Sequence, residues 1–225
     1  MRVVRGRAKT PETDRDASRR LLEWVGGNRE VAIRAWQPPR QVAFGRRDRN
    51  ESGYEEAVRR ARDHNFPAVA RSVGGRAVAY TGTTVAFARY EPVDELRRGI
   101  DERYEALTRD VERALATVGV DAERGEPPNA FCPGEHSLQC DGKIAGLAQR
   151  VTADAAIASG VLVPDDHEEI AAVTADIYDA LGVPFDRDSV GSVEKAGGDV
   201  EGVLPALESA LARGEEPTEL PLRQI

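Results

Sequence analysis

Apolar residues recur along this chain at two spacings, and the change from one to the other marks its elements. Across 101–118 they fall at Tyr104, Leu107, Val111, Leu115 and Val118. Steps of three and four put them on one helical stripe, and Gly119 closes the helix. Leu21, Leu22 and Val25 predict a shorter helix over 18–25, ended by Gly26-Gly27. Further helices are predicted over 54–63, 166–182 and 200–211. Asp166 and Glu169 have the spacing of a capping box at the start of the second of these.

Short apolar runs between the helices predict strands over 30–36, 41–44, 68–72, 77–80, 84–90 and 161–163. Pro38-Pro39 stops the first. The runs 137–140 and 144–151 frame Asp141-Gly142, a hairpin signal because both turn positions tolerate positive φ. Residues 125–129 read as a loop. Hairpins mix with helices and regular βαβ alternation is missing. The expected fold is α/β of the α+β type, a mixed, largely antiparallel sheet flanked by helices. One domain is expected over 15–212, with 1–14 and 213–225 frayed.

Charge narrows the partners. The net charge is -8, which argues against broad binding of a nucleic-acid backbone. Basic residues are almost all arginine, with lysine only at Lys9, Lys143 and Lys195, a composition that suits a salt-adapted source. No stretch approaches the ~20 apolar residues of a membrane span. The first twenty residues carry charge throughout and lack an apolar signal core. A soluble cytoplasmic protein is the expectation, without nucleic-acid or membrane partners.

Two segments invite chemistry. In Arg71-Ser72-Val73-Gly74-Gly75-Arg76-Ala77-Val78, paired glycines let backbone approach a ligand, and the flanking guanidiniums suit phosphate or carboxylate. The plainer reading is a hairpin turn with two solvated arginines. No Gly-Lys-Ser/Thr follows, so this is not a lysine-containing phosphate loop. In the second segment Lys143 sits just past the Asp141-Gly142 turn, and strand alternation groups it with Ala145, Leu147 and Gln149. Its ammonium could neutralise a carboxylate, a phosphate or a developing oxyanion, or simply be solvated. Upstream lies Cys132, a candidate nucleophile whose thiolate a neighbouring ammonium would favour, or a small buried hydrophobe. Cys132, His136 and Cys140 are also residue types that ligate zinc, but a fourth ligand is not evident.

Together the two segments resemble the lipoate-protein ligase and octanoyltransferase family, within the biotin/lipoate ligase superfamily. Arg71 to Val78 fits its glycine motif and Lys143 to Arg150 its lysine motif, Gly-x-Lys-Ile-x-Gly-x-Ala-x-Arg. The likeness extends over about 15–182. It implies a class II synthetase-like sheet, a ligand cradle at Arg71 to Ala77 with Tyr80, Gly146 and Ala148, and Lys143 as the essential lysine. It implies attachment of a lipoyl-type acyl group to a lysine of a carrier, the lipoyl domain of a 2-oxoacid dehydrogenase or a glycine cleavage protein. A ligase would use ATP and Mg²⁺ with lipoate or octanoate. A cysteine transferase would need neither, with Cys132 as nucleophile beside Lys143. A non-catalytic carrier-binding paralogue is the third reading. The ligase is the leading expectation, and its accessory domain would come from a separate subunit. The sequence departs from the ligases where they carry histidines: Ala79-Tyr80 and Ser159 stand there. Arg76 in place of a third glycine is closer to the cysteine-using branch.

Overall fold

The computed structural model describes residues 1–71, 75–95 and 98–225. In chain order its elements are β1 (Arg2–Val3), α1 (Pro11–Asn28), β2 (Ala32–Trp36), β3 (Gln41–Phe44), α2 (Tyr54–Asp63), β4 (Ala68–Ala70), β5 (Val78–Tyr80) and β6 (Val85–Pro92). There follow α3 (Ile100–Thr117), β7 (Glu123–Arg124), β8 (Ser137–Gln139), β9 (Lys143–Val151), β10 (Ala155–Leu162), α4 (His167–Leu181), α5 (Val203–Ala212) and β11 (Thr218–Glu219). Among the described residues, eight strands form one sheet in the order β11-β1-β2-β6-β10-β9-β8-β7, and three form a second, β4-β3-β5. β1 runs parallel to β2 and β11, and β3 to β4. The other pairings are antiparallel, so the mixed, largely antiparallel sheet with flanking helices is what the chain forms.

Strand β6 explains how the layers stack. Its side chains alternate between two cores. Val85 and Phe87 join Leu107, Val111 and Leu115 of α3 and Val203, Leu207 and Leu211 of α5. Ala86, Ala88 and Tyr90 turn to Leu21, Leu22 and Val25 of α1. Covered on both faces, the strand reads as a near-continuous apolar run. A third core packs Val42 and Phe44 of the small sheet against Val58 of α2 and Ile170, Val173 and Ile177 of α4. Each such Leu, Val or Ile contributes about 1.5–3 kcal/mol when fully buried.

Four expectations change. Helix α1 starts at Pro11, well before 18, because Thr10 and Thr13 cap it reciprocally through backbone N–H to Oγ1 bonds of 3.3 and 3.2 Å. Gly26 and Gly27 lie inside it, and the stop is Arg29 at φ 54. Gly26 serves close packing instead: a Cβ there would sit 3.0 Å from that of Asp154. Strand β10 runs from Ala155, where small residues with weak strand preference hid it; pairing on both sides, with β6 and β9, overrides that preference. Asp166 makes no capping bond; it accepts from the Thr83 hydroxyl at 2.8 Å, while Glu169 pairs with Arg40. Finally, each end expected to fray supplies a two-residue strand to the sheet, with Thr218 N–H donating to Met1 O (3.1 Å) and Leu220 N–H to Val3 O (2.9 Å).

Candidate active site

A cavity of about 670 Å³ opens between β5 of the small sheet and β6, β9 and β10 of the large one, with α1 along one side. That size suits a small-molecule or acyl ligand. Arg71, Gly75, Tyr80, Cys132, Lys143, Gly146 and Ala148 line it.

The lysine arrives there by a break in strand alternation. Asp141 and Gly142 turn at φ 51 and 109, and the missing Gly142 side chain lets the backbone at Gly191 approach; a Cβ would lie 2.6 Å from its nitrogen. Strands β8 and β9 then pair Gln139 with Lys143 and Leu138 with Ala145, leaving Ile144 extra. This bulge sends both Ile144 and Ala145 into the α3 and α5 core. Lys143 therefore shares its face with Gly146 rather than with Ala145, and lies across it: a Cβ on Gly146 would be 3.2 Å from Lys143 Cε. The Lys143 side chain is 1% exposed. Its Nζ donates to Glu126 Oε1 and Oε2 and to the carbonyls of Phe131 and Cys132, each at 3.0 Å.

Cys132 stands on the preceding loop with φ 41, a left-handed conformation uncommon for a residue with a Cβ. Its N–H donates to the Tyr178 hydroxyl at 2.7 Å, and that hydroxyl donates to Ala77 O at 3.1 Å. Arg71 Nη2 donates to Cys132 Sγ at 3.0 Å and also to Arg76 O. Burial works against the thiolate, but the Arg71 guanidinium, a bond from the Arg76 backbone and the charge of Lys143 outweigh it and hold the thiol below its ordinary range. Burial pushes the Tyr80 phenol up, so Tyr80 faces the cavity as a neutral group near Arg71 and Cys132.

The glycine segment divides. Ser72, Val73 and Gly74 lie outside the described residues. Gly75 reaches the cavity and its carbonyl crowds Gly45, where a Cβ would sit 2.3 Å away. The Arg76 side chain turns to Glu51 (2.7 Å) and buried Asp48 (3.4 Å), so only its backbone serves the site. Ala77 is buried and contributes its carbonyl. Among the described residues, Cys132, His136 and Cys140 do not gather into a metal-holding group. His136 stacks on Tyr104 at 3.8 Å beside the cavity, and Cys140 packs against the α3 core. Sequence reasoning left out Glu126 and Tyr178. The signal for Glu126 is chemical: a lysine buried this deeply needs an opposite charge. Tyr178 belongs to the apolar stripe of α4 and carries no signal of its own.

Comparison with known proteins agrees with this architecture. Residues 11–199 match the family model of the lipoyl protein ligase A/B catalytic domain. The octanoyl-[GcvH]:protein N-octanoyltransferase of Geobacillus kaustophilus is 29% identical over 55% of this chain and 44% of its own length. That of an Exiguobacterium species is 29% identical over 67% of this chain and 54% of its own. The chain thus spans about half the length of these curated relatives. Among solved structures, lipoate-protein ligase A bound with ATP superposes with a TM-score of 0.78 at 18% identity, over 98% of this chain and 88% of that one. The bipartite lipoate protein ligase of Thermoplasma acidophilum gives 0.70 at 16% identity, over 98% and 86%. No helix among the described residues is long and apolar enough to cross a membrane. The chain belongs to the lipoyl protein ligase A/B catalytic-domain family.

Proposed function

We propose that this protein moves an octanoyl or lipoyl group from one lipoyl-carrier protein to a lysine of another through a thioester on Cys132, without ATP. The observation that carries this reading is the Cys132 thiol in the cavity, 3.0 Å from the Arg71 guanidinium and held toward the thiolate. The octanoyl-[GcvH]:protein N-octanoyltransferase relatives support transfer of an octanoyl group to a protein. The thiolate attacks the acyl carbonyl, an S–C bond forms, and the C–N bond to the donor lysine breaks. The departing amine takes the proton that the thiol gave up. In the second half the acceptor lysine attacks the thioester, the C–S bond breaks, and the surplus proton returns to sulfur. The donor and acceptor would be lipoyl domains of glycine cleavage or 2-oxoacid dehydrogenase proteins.

We rank the cysteine route ahead of the ATP-dependent ligase, which the family resemblance makes the leading expectation. A ligase would ask Lys143 to hold the acyl-adenylate, yet its ammonium is spread over Glu126 and two peptide carbonyls. Tyr80 and Ser159 also stand where ligases carry histidines. The test mixes an octanoylated carrier domain with a distinguishable apo carrier and follows both masses. Transfer without ATP, lost in Cys132→Ala, is the expected result. Mass gain that requires ATP and survives Cys132→Ala would overturn the proposal.

A further inference from the structure

The Lys143 ammonium has three N–H groups and four acceptors within 3.0 Å. Two of those acceptors are the consecutive carbonyls of Phe131 and Cys132, on either side of the φ 41 backbone at Cys132. The lysine therefore pins the turn that carries the nucleophile. Glu126, at 22% exposure, faces this 1%-exposed ammonium with both oxygens, and the two peptide carbonyls complete its acceptors. Glu126 is fixed in turn by the Ser137 hydroxyl and by Gly134 N–H at 3.4 Å.

We propose that Glu126 is a positioning residue for Cys132: acting through Lys143, it limits the positive charge that the sulfur feels. The inference rests on Cys132 being the nucleophile. Charged and titratable groups that face the thiol are Arg71 from the glycine segment, Lys143 from β9, Tyr80 from β5 and Tyr178 from α4. Glu126 is the carboxylate that stands behind Lys143. Arg71 is the direct partner of the sulfur, and Glu126 sets how much Lys143 adds.

The experiment reads thiol alkylation by iodoacetamide against pH, in a Cys140→Ala background so that one thiol reports. In Glu126→Gln the side-chain oxygen and the two peptide carbonyls still surround the ammonium while the negative charge is gone. The alkylation midpoint is expected to move to lower pH, with about threefold more thiolate below it. Glu126→Asp keeps the charge but is one methylene short, so it should move the midpoint the same way by less, and it decides the matter if Glu126→Gln does not fold. A midpoint that stays put or rises in the folded variant overturns the proposal. This readout involves no acyl transfer. Loss of the cysteine mechanism would instead show as transfer that survives Cys132→Ala.

Discussion

Replacing Arg71 by Gln removes the charge nearest the Cys132 sulfur. Arg71 Nη2 lies 3.0 Å from Cys132 Sγ, and two full charges at that separation interact by roughly 5 kcal/mol at an effective dielectric of 20. Guanidinium charge is delocalised over three nitrogens, so roughly half of that, about 2.5 kcal/mol, reaches the sulfur. The burial that opposes the thiolate remains in the variant, so the thiol should rise past its ordinary range. At neutral pH the thiolate fraction falls by about a hundredfold. Stopped-flow alkylation from pH 6 to 10 in the Cys140→Ala background measures this directly. Arg71→Lys restores the charge without the planar fork and should recover part of the loss. A variant whose alkylation midpoint matches the parent would refute Arg71 as the thiolate's partner and shift that role to Lys143.

Three other outcomes follow from the same geometry. Gly146→Ala places a methyl 3.2 Å from Lys143 Cε, and the pinned lysine must shift by a few tenths of an ångström. Acyl transfer should drop about tenfold in kcat with unchanged far-UV circular dichroism, since a full 1 Å misplacement costs about 100-fold. Arg34→Met strips the fully buried Asp14 pair of its cation (2.7 Å) and should cost about 3–5 kcal/mol, or about 10 °C in melting temperature; Asp14→Asn added to it should recover part. Cys132 is held below its ordinary value, so its thiolate contributes stability that is present above the unfolded value of about 8.5 and is lost as pH falls through the folded one. The melting temperature of the parent should therefore fall relative to Cys132→Ala on going from pH 9 to pH 6.

Legibility followed periodicity. Helix α3 and the core at Leu107, Val111 and Leu115 could be read because one apolar stripe repeats over the whole element. The two-residue strands β1, β7 and β11 could not, because such short segments have no period, and they exist only by pairing with distant partners. At the site, Lys143 and Cys132 were visible as chemistry and by resemblance, whereas their surroundings were not. The bulge at Ile144 leaves no local mark, and it decides which residues accompany the lysine. Arg71 and Arg76 look alike in sequence, yet one faces the sulfur and the other is drawn to Asp48 and Glu51. Glu126 sits in a loop without pattern and becomes meaningful only once the lysine is known to be buried.

The Tyr178 hydroxyl, bonded to Cys132 N–H and to Ala77 O, joins helix α4, the cysteine loop and the residue before β5 at one point. Those three segments must then open together for any of them to open there. The Cys132 amide should exchange with deuterium at the slow rate of the α4 interior, while exposed Glu135, three residues away, exchanges as surface. Loosening α4 with Tyr178→Phe would thus register first as a faster clock on the Cys132 amide, far from where the helix meets solvent.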